Sequence, residues 1–249
     1  MVMKIAVAGG TGVVGRHVVR EAEQRGHEVV VLSRSAGADV LGGEGLRERL
    51  EGCEAVVDVL NVATQKRAEA EAFFRTTTTH LTEAEREVGC AHHVVLSIVG
   101  IDRVPTGYYR GKLLQETTAT AGPVPSTILR AAQFHEFAEQ ALGFVRLGPV
   151  SVVPAMRTQP IAAREVAAAL VELAEQGPSG RAPDLAGPEV HRLADLARQV
   201  NDHKHLGRRV VEARLPGAAG RAMRSGALTT GGPGRGRQTF AAWLAAEPA

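Results

Sequence analysis

Apolar residues recur along this chain with two alternating periods. Residues 3–8 (MKIAVA) form a short apolar run that stops at a glycine pair, residues 13–25 mix apolar and polar positions at helical spacing, and residues 28–32 are a second short run. In order, these predict strand, turn, helix and strand. The same reading predicts a short helix at 46–50, a buried strand at 55–60, a long helix at 67–88, a strand at 93–99, a helix at 108–121 and, past Pro123 and Pro125, a strand at 126–130. Such alternation predicts the α/β class, a Rossmann doubly wound parallel sheet with helices on both faces. From about residue 150 the pattern weakens to a strand at 150–153, helices at 163–176 and 193–200, a strand at 210–213, a glycine-rich loop at 225–237 and a last helix at 240–246. The expectation is one domain over residues 1–249, with the part after 150 forming a small C-terminal cap.

The turn after the first strand reads Gly9, Gly10, Thr11, Gly12, Val13, Val14, Gly15. Without Cβ atoms the backbone there admits a pyrophosphate, and the amides and dipole of the following helix attract it; Gly15 would serve helix-to-strand packing. A lone glycine pattern is weak evidence, but here strand, turn, helix and second strand occur in the required order. A dinucleotide site follows, with Gly9, Thr11, Gly12, Val13 and Val14 along the phosphates. A site for NAD(H) ends its second strand in a carboxylate that holds the ribose hydroxyls. This strand ends instead in Ser33, Arg34 and Ser35, and an arginine with two hydroxyls suits a 2′-phosphate, so NADP(H) is expected ahead of NAD(H). Arg16 is a second candidate phosphate partner; the alternative is that both arginines are solvated surface groups.

Tyr108 and Lys112 lie four residues apart on one helix face. With two tyrosines and four lysines in the whole chain, the pairing is uncommon by chance. An ammonium beside a phenol stabilises the phenolate and makes the hydroxyl a general acid, with the lysine also placed to hold a ribose. Tyr109 competes, but stands only three residues from Lys112.

Taken together, GGTGVVGR at the start, VVLSIVGIDRVPTGYYRGK, ILRAAQFHEF, QPIAAREVA and LAGPEV resemble the short-chain dehydrogenase/reductase superfamily, and its atypical NmrA-like, NAD(P)H-binding branch in particular. The resemblance runs through nearly the whole chain. It implies a Rossmann core with a small substrate cap and places Tyr108 and Lys112 in the catalytic positions. It also implies that Asn61, Val62 and Ala63 pass under the adenosine ribose and nicotinamide side, and that residues 131–133, Ala132 among them, pass near the nicotinamide. In that superfamily a Ser or Thr just past the end of the strand before the catalytic helix polarises the substrate carbonyl. Ser97 stands about two positions early, and Val99 occupies the expected place. Ser97 is therefore a candidate for that role or only lines the cofactor site, and Gln133 or His135 could supply the polar contact to substrate.

The formal charge of +2 comes from scattered residues and predicts no nucleic-acid face. No run is long enough for a membrane span, and the reading is cytoplasmic, with a small-molecule substrate and room for a homodimer. Cys53 and Cys90 read as buried thiols, and no metal is expected. His203 and His205 read as a solvated loop, and His92 and His93 as surface residues. His135 follows a strand end, where ligands collect. Arg157 could bind an anionic substrate or form a surface salt bridge, and the salt bridge is the favoured reading. Two functions compete: an NADP(H)-dependent oxidoreductase acting on a small carbonyl, enone or quinone-like substrate, and a redox sensor that binds the dinucleotide without chemistry. A sugar-nucleotide epimerase is weaker, because the chain lacks a large C-terminal domain.

Overall fold

The computed structural model describes residues 2–248. In chain order the elements are β1 (Lys4–Ala8), α1 (Val13–Gln24), β2 (Glu28–Leu32), α2 (Leu46–Leu50), β3 (Ala55–Asp58), α3 (Arg67–Val88), β4 (His92–Ile98), α4 (Gly107–Ala121) and β5 (Ser126–Ala131). There follow α5 (Phe137–Ala141), β6 (Val145–Leu147), β7 (Val150–Pro154), β8 (Arg157–Thr158), α6 (Ala163–Gln176), β9 (Gly180–Arg181), β10 (His191–Arg192), α7 (Leu193–His203), β11 (Arg209–Ala213), α8 (Gly217–Ser225) and α9 (Phe240–Leu244).

The chain divides into two compact units. The first comprises the residues up to Ser97 with Thr106–Arg130 and Ala163–Pro183. It carries a six-stranded sheet in the order β2-β1-β3-β4-β5-β9, with parallel pairing from β2 through β4 and between β5 and β9. The expected doubly wound sheet is therefore present. Its strands are short and rich in Val, Ile and Ala because both faces are covered; Ile5, Ala6, Val7 and Ala8 of β1 are wholly buried. The strand order reverses at β1, since β2 lies on one side of it and β3 on the other. At such a switch point, loops leave the strand carboxyl ends in opposite directions and open a crevice.

The second unit comprises Ile98–Pro105, Ala131–Ala162 and the chain from Asp184 onward. Its three-stranded sheet has the order β11-β7-β6, parallel between β11 and β7 and antiparallel between β7 and β6, and a two-stranded sheet joins β10 to β8. Helix α7 packs on β7 and β11, burying Leu193, Leu196, Ala197 and Val200 at helical spacing.

Where the structure departs from the sequence reading, the reasons are local. The strand expected at 55–60 stops at Asp58, because Asp58 Oδ1 accepts the amide of Leu60 at 2.9 Å and turns the chain out of the sheet. The strand expected at 93–99 is shifted to begin at His92. Helix α8 is not expected from the sequence, because its two glycines and small alanines mask a short amphipathic pattern, and β6, β8, β9 and β10 are only two or three residues long. His92 and His93 are buried, contrary to their surface reading. Both stand in β4, where hydrogen bonds replace water: His92 Nε2 lies 2.8 Å from Thr127 Oγ1, and His93 Nδ1 lies 2.7 Å from Glu85 Oε1. Cys53 and Cys90 are buried as expected, and burial pushes their thiols up to about 11 and about 12. Among the described residues, no helix is long and apolar enough to cross a membrane.

Candidate functional site

The turn between β1 and α1 lies at the switch point of the first unit. Gly9 has φ +86, and a Cβ there would approach the Val59 carbonyl group to 3.1 Å, so the turn sits directly against the loop leaving β3. At Gly15 a Cβ would fall 2.1 Å from the Gly9 carbonyl oxygen, which fixes this glycine as the packing contact between helix and turn. The first intrahelical bond of α1 runs from the Arg16 amide to the Gly12 carbonyl. The amides of Val13, Val14 and Gly15 therefore have no acceptor among the described residues. No acidic side chain stands in this first turn, and no side chain caps it. Thr11, Gly12 and Val13 are exposed. Free amides, the positive end of a helix and an open glycine turn together fit an anionic phosphate group.

At the end of β2, Ser33 and Ser35 share a 3.0 Å hydroxyl contact, and Arg34 between them is exposed. The Arg34 side chain has no hydrogen-bond or ion-pair partner among the described residues, and the only carboxylate of β2 is Glu28, at its other end. Arg16 instead donates to the Thr11 carbonyl at 3.0 Å, bracing the glycine turn.

The loop after β3 carries Asn61, whose Oδ1 accepts the Val62 amide at 2.8 Å and the Tyr108 hydroxyl at 2.7 Å. Thr106 caps α4 by accepting the Tyr109 amide, so Tyr108 opens the helix beside this loop. Lys112 lies one turn on and is buried. Its Nζ donates to the Leu96 carbonyl at 2.7 Å and to Gln115 Oε1, and sits 4.8 Å over the Phe74 ring. Gln115 Nε2 in turn donates to Asp58 Oδ2 at 2.7 Å. Burial lowers the Lys112 ammonium to about 8 against the opposing pull of Asp58 and Glu116. The expected lowering of the Tyr108 pKa by this lysine does not occur. Burial, and then Tyr109, push the phenol above its usual range, because the ammonium is directed at Leu96 and Gln115.

Ser97 is buried, and its hydroxyl donates to Glu116 Oε1. Glu116 also holds Arg130 by two contacts of 2.7 Å, from Nε and Nη2. In this arrangement Ser97 is committed to α4. Asp58, Gln115, Glu116 and Arg130 were not singled out in the sequence, although the spacing of Lys112, Gln115 and Glu116 on one face of α4 offered a signal.

Ala132, Gln133 and His135 belong to the second unit. The Ala132 amide donates to Leu185 O at 2.8 Å, and Gln133 Oε1 accepts the Thr158 hydroxyl at 2.8 Å, leaving Gln133 Nε2 without a partner among the described residues. His135 is fully buried, stacked on Trp243 at 5.5 Å and edge-on to Phe240 at 5.6 Å. Burial lowers its pKa to about 4, partly offset by the Gln238 backbone, so it is a neutral aromatic of this core. Arg157 is exposed and has no ion-pair partner among the described residues, which corrects its reading as a salt bridge. His203 Nε2 contacts the Glu247 carbonyl at 3.0 Å, and His205 is exposed. No group of three or more metal-ligating side chains occurs among the described residues.

A family model described as NAD(P)H-binding matches residues 9–177. The photosystem II assembly factor Ycf39 of Synechocystis sp. is 41% identical over 70 residues, covering 22% of this chain and 22% of that protein. The chain thus spans about a fifth of the length of this curated relative. Among solved structures, UDP-glucose 4-epimerase of Stenotrophomonas maltophila, with bound NAD and formylated UDP-arabinopyranose, superposes with TM-score 0.69 at 17% identity, covering 98% of this chain and 96% of that one. UDP-N-acetylglucosamine 4-epimerase of Bacillus cereus does so with TM-score 0.66 at 19% identity over 85% of each chain.

Proposed function

This chain belongs to the NAD(P)H-binding family, and we propose that it is an NADP(H)-dependent oxidoreductase of the short-chain type that reduces a small carbonyl, enone or quinone-like compound. The observation that carries this reading is one continuous edge of the first unit. There the glycine turn abuts Val59, the same loop presents Asn61, and Asn61 holds the Tyr108 hydroxyl.

The three free amides of α1 and the open turn would hold the pyrophosphate. The exposed, unpartnered Arg34 with the Ser33 and Ser35 hydroxyls would hold a 2′-phosphate, and no carboxylate stands at that strand end to repel it. When bound, the nicotinamide supplies the hydride. Tyr108 would give its Oη proton to the substrate oxygen as charge develops there. A phenol held above its usual range carries its proton at neutral pH but is a weaker acid for it, so the transfer would rely on the positioning of Tyr108 by Asn61. Lys112 would fix α4 against β4 through the Leu96 carbonyl.

A second reading, a redox sensor that binds the dinucleotide without turnover, draws support from Ser97 and Lys112. The hydroxyl of Ser97 is committed to Glu116 and the ammonium of Lys112 to Leu96 and Gln115. A relative named as an assembly factor fits that reading too. The test is a fluorescence titration with NADPH and NADH, followed by NADPH oxidation against quinones, enones and aldehydes. Binding of NADPH ahead of NADH, turnover of a panel compound, and a loss of about 10²–10⁴-fold in turnover for Tyr108→Phe with binding retained would support the reductase. Binding without any turnover selects the sensor, and full activity in Tyr108→Phe removes Tyr108 as the acid. Interconversion of UDP-glucose by the protein would instead select an epimerase, the activity named for the two solved structures.

A further inference from the structure

The region under α4 holds three carboxylates, an arginine, a lysine and a histidine. Arg130 is bonded by two contacts to Glu116, and His93 to Glu85. That leaves Asp58 and Lys112. Asp58 is wholly buried, and both of its oxygens are engaged by neutral donors, Oδ1 by the Leu60 amide and Oδ2 by Gln115 Nε2. A carboxylate removed from water needs a countercharge, and Gln115 links it directly to the one ammonium not otherwise paired.

We propose that Asp58 is a positioning residue with two arms: through Gln115 it is the counter-ion that fixes Lys112, and through Leu60 it fixes the loop whose Asn61 holds the Tyr108 hydroxyl. The amide of Gln115 transmits the link because its oxygen accepts from Lys112 while its nitrogen donates to Asp58. A single buried carboxylate thereby sets both members of the YxxxK pair. Its effect on catalysis rests on the oxidoreductase reading; its effect on the charge of Lys112 does not.

Lys112 touches the Leu96 carbonyl of β4, the Phe74 ring of α3 and Gln115 of α4, and the charges that act on it are Asp58 of β3 and Glu116 of α4, the latter itself bonded to Ser97 of β4 and Arg130 of β5. Further off, the Glu85 and His93 pair flanks Asp58. Of these, Asp58 and Glu116 favour the ammonium, and Glu116 is already matched by Arg130.

The chain has only four lysines, at positions 4, 66, 112 and 204, so their side-chain signals can be titrated one by one in protein labelled with ¹³C at lysine Cε. Lys112→Arg assigns the signal. In the unaltered protein Lys112 should titrate near 8. Asp58→Asn keeps the shape and the bond to Leu60 and should lower proton affinity at Lys112 by at least about tenfold, leaving the other three lysines in place. An unmoved Lys112 overturns the proposal. Should Asp58→Asn not fold, Gln115→Met cuts only the link and should also lower that affinity, by at least about threefold, with no movement again overturning it. If the protein reduces a substrate, the alkaline limb of its pH-rate profile should move with the Lys112 titration. A moved titration beside an unmoved profile would sink the oxidoreductase role of Lys112 while leaving the Asp58 link standing.

Discussion

The two polar regions of the first unit treat their charges in opposite ways. At the ends of β1 and β2, Arg34 stands exposed without a partner and the first amides of α1 have no acceptor among the described residues. Under α4, Lys112, Gln115 and Asp58 form one linked set and Ser97, Glu116 and Arg130 another, and within this interior network each has a partner. An edge with open hydrogen-bonding capacity costs little while water satisfies it, and is ready to exchange that water for a ligand. An interior network cannot stay open, because each unpaired buried group would carry its full desolvation penalty. Open hydrogen-bonding capacity therefore belongs to the first region, and fixed geometry and charge to the second.

That contrast is broken most forcefully from inside the network. Glu116→Ala leaves Arg130 nearly buried without its carboxylate and strips the Ser97 hydroxyl of its acceptor. We expect a loss of about 3 kcal/mol, read from the denaturant midpoint, with the slope unchanged. A loss under about 1 kcal/mol would mean that the network is solvated and that the contrast with the open edge is false.

At the open edge the expected effects reverse. Arg34→Asp should weaken NADPH binding by at least about tenfold, or about 1.4 kcal/mol, while NADH is little affected. Stability should stay within about 0.5 kcal/mol, since no folded partner is lost. Unchanged NADPH affinity, measured by nicotinamide fluorescence, would put the 2′-phosphate elsewhere.

The open edge was legible in the sequence, and the network was not. Gly9, Gly12 and Gly15 lie within seven residues of one another, and Ser33 and Arg34 directly end a strand, so local order alone assembles them. The same holds for Tyr108 and Lys112, one helical turn apart. The network instead joins Asp58 to Gln115 and Glu116 to Arg130, and only strand order brings those pairs together. Asp58 looked like part of an apolar strand, and His92 and His93 looked polar enough for the surface, because an alternation of polar and apolar residues does not show which polar groups find partners inside. The weak pattern after residue 150 had a related cause: strands of two or three residues carry too few positions to establish a period.

His93 offers the finest test, because its partner is buried as completely as it is. Burial works to lower its pKa, but the Glu85 carboxylate, the hydrogen bond to it and the charge of Asp58 together outweigh burial and raise it. A histidine whose folded pKa lies above its unfolded value near 6.5 contributes stability that is complete below that value and is lost as pH rises through the folded pKa. Burial lowers the pKa of His17, His92 and His135, so these act in the opposite sense and mask the trend in the unaltered protein. Subtracting the unfolding profile of His93→Gln, which can keep a hydrogen bond to Glu85, removes their contribution. The difference in stability should be greatest near pH 6 and shrink as pH rises, at no more than about 1.4 kcal/mol per pH unit, the limit for one proton. A difference that is flat, or that grows with pH, would mean that His93 is neutral in the folded chain. The cluster under α4 would then carry one cation too few, and Lys112 would have to answer two carboxylates where the present assignment gives it one.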